Sequence, residues 1–416
     1  MTLKETLATM KLLLTSLFAL LSIAANAAWT LDSPTSPTTL TDGNWQLSVS
    51  LKNNSLTITK VTAGVDTLDL TSVENDTGYP VTAFGSSACT SYTAITNLIA
   101  PSVTSLGYYS FKACSSLTNV VVSKNITTIG DEAFYNSSSL QRFSPTTLPE
   151  LTYIGRNAFR PAPIVGDFKL EKIQTINSYA FYGTKITSCY APNTTALGGY
   201  AFAVQKAITN ITLSPALKTI SSDAMNGCTA LKTFYPLNWT NVTSIGSYAF
   251  SSCPALEGDI TAPLLTSVSF QSFSSCASIT SFNLPNVKSI ASYSFSNCKS
   301  ATNFVIHSSS TISVAAFYCI APGANIWWLG DTAPTSISEA NFIAHDQSWV
   351  TIHVSRGKDK ENWQALCTRI PPNLTESDRT QAGAPKEPII GVLNSSRRNA
   401  WITRWSNKDP SILIIR

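Results

Sequence analysis

Between Phe84 and Phe342 one six-residue phrase recurs twelve times: an apolar residue, a small one, two variable ones, a small one and a bulky closing residue. The clearest copy is Ile129-Gly130-Asp131-Glu132-Ala133-Phe134, echoed by Ile154-Gly155-Arg156-Asn157-Ala158-Phe159 and Ile245-Gly246-Ser247-Tyr248-Ala249-Phe250. The closing residues are Cys89, Phe111, Phe134, Phe159, Phe181, Phe202, Met225, Phe250, Phe273, Phe295, Phe317 and Phe342, spaced 21 to 25 residues apart. A unit of that length cannot bury its own apolar face and must stack on copies of itself. The chain therefore reads as a solenoid.

The residue five before each closing residue is apolar in all twelve copies. Chance alone would give that in about one register in ten thousand. The residue just before the closing one is Ala or Ser in eleven copies, Asn341 being the exception. A small side chain there lets successive coils approach closely. A second signal follows in many units: Leu117-x-x-Val120-x-Val122, Leu231-x-x-Phe234, Ile279-x-x-Phe282-x-Leu284 and Ala301-x-x-Phe304-x-Ile306. These match the strand of a leucine-rich repeat, with two apolar side chains two apart on one face. The fold expected is a β-rich solenoid, a right-handed leucine-rich-repeat superhelix of about 12 repeats of about 23 residues with caps at both ends.

Segment by segment, residues 1–27 read as a signal peptide. Lys11 precedes an apolar stretch from Leu12 to Ile23, and Ala25-Asn26-Ala27 offers a cleavage site. The apolar stretch is too short to span a membrane. Residues 28–80 form an N-terminal β cap, with a hairpin through Lys52-Asn53-Asn54. The repeats occupy 81–345 and a C-terminal cap 346–367, including a strand at Trp349–Val354 and a helical piece at Glu361–Leu366. The proline-bearing 368–390 reads as a linker, and 391–416 as a small basic β-like tail.

The phrase Ile-Gly-x-x-Ala-Phe, followed by a Cys and then a leucine-rich strand, resembles the BspA-like leucine-rich-repeat surface proteins of bacteria and some protozoa. The resemblance covers about residues 81–354, and Gly330–Pro334 also looks like a stretch seen near the end of such arrays. The weaker copies depart from it: Tyr153 to Pro163 lacks the Cys, and Asn177 and Met225 replace the usual Gly and Phe. The resemblance implies a secreted or cell-surface protein that binds other proteins, host or matrix proteins among them, or acts in adhesion. Fold alone does not assign function.

Charged residues make up only 12% of the chain, and the formal charge is +4, concentrated in the tail. No basic stripe follows the repeats, which argues against nucleic acid. Cys114, Cys228, Cys253, Cys276 and Cys298 each follow a closing residue by three positions. That placement suggests a ladder of buried thiols. Stacked strands about 4.8 Å apart would also tolerate some bridges.

Chemistry-bearing constellations are scarce. His307, His345 and His353 fall in different units, and Asp131-Glu132 has no matching pair in neighbouring coils. Glycoside cleavage needs two carboxylates at fixed separation, and no phosphate loop, nucleophile elbow or metal motif is present. The chain is expected to be no enzyme, with no cofactor and no metal.

What remains for function is the variable face of the strands. The residues pointing away from the core, and hence expected to bind, are Asn119, Val121, Arg142, Thr212, Thr233, Tyr235, Ser281, Asn283, Asn303 and Val305. Trp327-Trp328 adds a second aromatic candidate, one member of which must face the core. The partner expected is an extracellular or surface protein, with a carbohydrate-binding or structural role as the alternative.

Overall fold

The computed structural model describes residues 28–235, 239–307, 311–329 and 350–354, and the backbone of the strands at 342–344, 389–395 and 398–404. The signal segment, Gly330–Pro334, His345 and the helical piece expected at Glu361–Leu366 lie outside these residues.

The chain winds as a β-solenoid of about twelve coils, and its single helix among the described residues is the five-residue Val73–Thr77. Each coil contributes to three rows. The first is a narrow parallel sheet built from the apolar position of the phrase. Ser105–Leu106, Thr128–Ile129, Tyr153–Ile154, Thr175–Ile176 and Ala196–Leu197 follow one another in it. The second is a wide sheet made by the leucine-rich strands, such as Asn97–Ala100, Asn119–Val122 and Arg142–Ser144. The third row is the phrase itself, in which the Phe111 amide donates to the Ala133 carbonyl at 2.8 Å and Phe134 to Ala158 at 2.8 Å.

This third row depends on backbone geometry. Two residues before each closing residue the chain turns left-handed, with φ between 51° and 60° from Ser87 to Ala315. That turn aims alternate amides along the solenoid axis: Tyr109 donates to Asp131, Glu132 to Arg156, and Tyr179 to Gly199. Side chains other than Gly, Asn and Asp visit this region at a cost of about 1–2 kcal/mol each. Five of the residues there are tyrosines: Tyr109, Tyr179, Tyr200, Tyr248 and Tyr293.

The core is one column of rings. Phe111, Phe134, Phe159, Phe181 and Phe202 are fully buried and stack nearly parallel at centroid spacings of 5.4 to 5.6 Å. Met225 interrupts the column, which resumes with Phe250, Phe273, Phe295 and Phe317. Trp239 widens it, stacking on Phe250 and Phe273 at 5.1 and 5.9 Å. Burying each such ring is worth about 1.5–3 kcal/mol.

The small positions behave as expected. A Cβ on Gly130 would lie 2.7 Å from the backbone of Gly107, and one on Gly155 would lie 2.3 Å from the Asp131 amide nitrogen. Asn177, which departs from the phrase, uses its longer side chain instead: Nδ2 donates to the Ile154 carbonyl of the coil before. All eight described cysteines are free thiols, and seven of them are buried. The Cys row is also a hydrogen-bond ladder: the Cys228, Cys253, Cys276 and Cys298 thiols donate to the carbonyls of Phe202, Met225, Phe250 and Phe273.

Both ends are closed by strands. Gln46–Lys52 and Ser55–Ala63 form an antiparallel hairpin whose Asn53 and Asn54 both have positive φ, as a two-residue primed turn requires. Ser55–Ala63 then pairs in parallel with Val81–Phe84 and so starts the narrow sheet. At the other end Val350–Val354 pairs with Asn325–Trp328, and Arg398–Arg404 pairs in parallel with Val350–Val354. Ile389–Ser395 folds back antiparallel on Arg398–Arg404 and forms the last strand of that sheet.

Candidate binding face

The wide sheet is not continuous. It runs in three blocks, broken after Arg142–Ser144 and after Thr233–Tyr235. Both breaks fall in coils of 25 residues, those closing at Phe159 and Phe250, where Pro145 or Pro236 follows the strand. Proline lacks the amide that would continue the ladder. Each next block opens on a Gly-Asp bulge: Gly166-Asp167 and Gly258-Asp259, with φ of 112° and 95° at the glycines.

The bulged aspartates organise the hydroxyls beside them. Asp167 Oδ1 accepts from Thr187 Oγ1 at 2.6 Å and Ser188 Oγ at 2.7 Å, and these bonds hold its carboxyl below the usual carboxylate range. Asp259 Oδ1 accepts from Thr280 and Ser281 in the same way.

All ten residues expected to bind lie in wide-sheet strands, at positions alternating with the buried ones. They divide among the blocks. Asn119 and the exposed Arg142 share a row of the first block, with Val121 in the row beside them. Thr212 and Tyr235 share a row of the second block, and Thr233 lies in the neighbouring row. Ser281 and Asn303 share one row of the third block, Asn283 and Val305 the next. No single cluster gathers all ten.

One aromatic expectation changes. Trp328 is fully buried and Trp327 is only 9% exposed. The Trp327 ring stacks on His353 at 3.8 Å, and His353 Nε2 sits 2.9 Å from Asn325 Oδ1. Trp327 is thus part of the packing and is not presented as an anchor. Tyr235 is, at 47% exposure.

Sequence reasoning missed a partner for it. Tyr190, 46% exposed, pairs across the sheet with Thr212, which pairs in turn with Tyr235. Lys169 continues the same row beyond Tyr190. The Lys185–Tyr190 strand reads Lys-Ile-Thr-Ser-Cys-Tyr, with Ile186 and Cys189 as its buried residues, three apart. It therefore lacks the apolar pair two apart that marks the other strands.

A second aromatic stripe runs along the phrase row. Tyr179 and Tyr200 stack at 4.6 Å with Arg160 over Tyr179 at 4.3 Å, and Lys112 lies over Tyr109 at 4.0 Å while pairing with Glu132 at 2.9 Å. These rings are engaged by neighbouring coils and by the chain's own cations, which offsets the cost of their left-handed backbone. Tyr190 and Tyr235 have no ring contact and no side-chain hydrogen bond among the described residues.

Among the described residues no group of three or more His, Cys, Asp or Glu side chains is placed to hold a metal ion, and no helix is long and apolar enough to cross a membrane.

A family model for the BspA type leucine rich repeat region matches six copies, over residues 82–203, 143–257 and 238–326, together more than half of the chain. Solved structures of other leucine-rich repeat proteins are similar, three of them as follows. A leucine rich cell surface protein from Faecalibacterium prausnitzii shares 21% identity over 80% of this chain and 98% of its own, with a TM-score of 0.39. A T. pallidum leucine rich repeat protein shares 20% over 50% and 87%, at 0.37. The pneumococcal vaccine antigen PcpA shares 15% over 76% and 93%, at 0.38. No curated protein matches the sequence.

Proposed function

The chain belongs to the BspA-type leucine-rich repeat family, and from that premise we propose that it is a non-catalytic secreted or cell-surface protein that binds an extracellular protein, in adhesion, through the outward face of its wide sheet. One observation carries the reading. The recurring residues of every coil are consumed by stacking, while the outward rows hold side chains that stacking does not use. Exposed Arg142 makes no ion pair among the described residues, and exposed Tyr235 makes no side-chain hydrogen bond there. Tyr and Arg are the residues that most often dominate binding energy at interfaces.

Export is part of the proposal and rests on residues 1–27. The mature chain should begin at Ala28, which N-terminal sequencing of the native protein would read. For binding, the chain from Ala28 onward is passed over immobilised host-surface and matrix proteins. Saturable binding to at least one of them is expected, and binding to none would overturn the reading.

A further inference from the structure

We propose that the row Tyr190–Thr212–Tyr235 is a saccharide subsite that holds one pyranose ring between the two tyrosines. This deepens the reading above, since it rests on the outward wide-sheet face being the binding face, and it names the ligand chemistry at one place on it.

Three observations point to a sugar. The first is spacing. Tyr190, Thr212 and Tyr235 sit on three consecutive parallel strands in direct register. Adjacent strands are about 4.8 Å apart, so the two tyrosine positions are about 9.6 Å apart. Stacked rings settle about 4.5–7 Å apart, so one ring seated midway meets both walls. Thr212, small and half-buried, forms the floor of that slot.

The second is unused chemistry. Both tyrosine rings are almost half exposed, and among the described residues the hydroxyls of Tyr190, Thr212 and Tyr235 make no hydrogen bond. Two apolar ring faces and three free hydroxyls suit a ligand that is apolar on its faces and hydroxylated around its edge.

The third is the setting. The row alongside is Asp167–Ser188–Asn210–Thr233, a carpet of carboxylate, hydroxyl and amide. Its members are held by one another: Asp167 accepts from Ser188, and Asn210 Oδ1 accepts from Thr233 Oγ1. Exposed Lys169, which ends the tyrosine row, forms no ion pair among the described residues. Pre-ordered polar groups beside an aromatic wall reduce the ordering cost of binding.

The test uses the full mature chain on a printed panel of neutral and acidic pyranose oligosaccharides. Four proteins are compared: wild type, Tyr190→Ala, Thr212→Phe, which fills the slot, and Tyr153→Ala, which removes an exposed tyrosine from the narrow sheet instead. Thermal melts confirm that each is folded. Reproducible binding by wild type and Tyr153→Ala is expected, weakened about tenfold or more in both slot variants. Absence of glycan binding by wild type overturns the proposal, as does undiminished binding by the slot variants. Protein-binding measurements on the same preparations separate the two readings. A chain that binds matrix protein but no glycan loses only the saccharide subsite, and one that binds neither loses the binding face as well.

Discussion

The Cys276 thiol donates to the carbonyl oxygen of Phe250, 3.0 Å away in the preceding coil. The same bond is made by Ser137, whose hydroxyl donates to Phe111 at 2.7 Å. A serine should therefore serve where the cysteine stands, and an isosteric apolar residue should not. Cys276→Val is expected to lose about 1–3 kcal/mol by leaving a buried carbonyl unpaired, and Cys276→Ser distinctly less. Chemical denaturation of the two variants measures the difference, and equal losses would show that the thiol acts by packing alone.

The close approach of coils should be just as selective. Gly130→Ala places a Cβ where the backbone of Gly107 stands 2.7 Å away. The neighbouring coil must shift, at a cost of about 1–3 kcal/mol or more. Ala291→Gly, at the equivalent place in a later coil, should cost only the backbone entropy of glycine, about 0.5–1 kcal/mol. Paired thermal melts test the contrast.

Thiol chemistry should report burial. Desolvation pushes the Cys189 thiol up to about 12, and burial raises Cys228 and Cys276 as well. The folded chain keeps these groups protonated where the unfolded chain would ionise them. Their contribution to stability is full below the ordinary thiol pKa and is lost as pH rises from there toward the folded value. At pH 8 a water-soluble alkylating reagent should label Cys319, the half-buried one, and spare the seven buried thiols until the protein unfolds. Mass spectrometry of native and denatured samples shows which outcome holds.

In the N-terminal cap, Asp32 accepts from the Thr38 hydroxyl and from the amides of Thr38 and Thr39. These bonds lower its pKa from 3.8 to about 2. Because the folded value is depressed, the contribution is complete above pH 4 and disappears as pH falls through about 2. Thr38→Val should move the Asp32 titration midpoint back toward 3.8. An NMR titration of the carboxyl carbon follows it, and an unchanged midpoint would assign the shift to the backbone amides alone.

Most of the fold could be read in the phrase, because stacking consumes the same side chain in every coil. Ile129, Gly130 and Phe134 each meet their counterparts one coil away, so recurrence in sequence maps onto contact in space. The outward face was legible only in part. Alternation along a strand shows that Tyr235 points away from the core, since Phe234 points inward. It does not say which residue of the next coil stands beside it. That depends on coil length, which varies from 21 to 25 residues, and on the bulges at Gly166-Asp167 and Gly258-Asp259. Tyr190 escaped because the buried residues of its strand, Ile186 and Cys189, are three apart. Trp327 misled differently: its position on the strand is outward, yet the strand Val350–Val354 brings His353 against its ring. A signal for the broken wide sheet was present, as the 25-residue coils closing at Phe159 and Phe250 each pair a strand-ending proline with a Gly-Asp one coil later.

The binding face itself is tested most directly by one comparison. Affinity for a protein partner is measured for wild type and for an Arg142→Ala/Tyr235→Ala double variant, with melting curves confirming that both are folded. Both side chains are exposed and neither supports the stacked core, so the variant should fold as wild type does. Binding should weaken by about tenfold or more in the double variant. Unchanged affinity in a folded double variant would contradict it and move the binding surface away from these rows of the wide sheet.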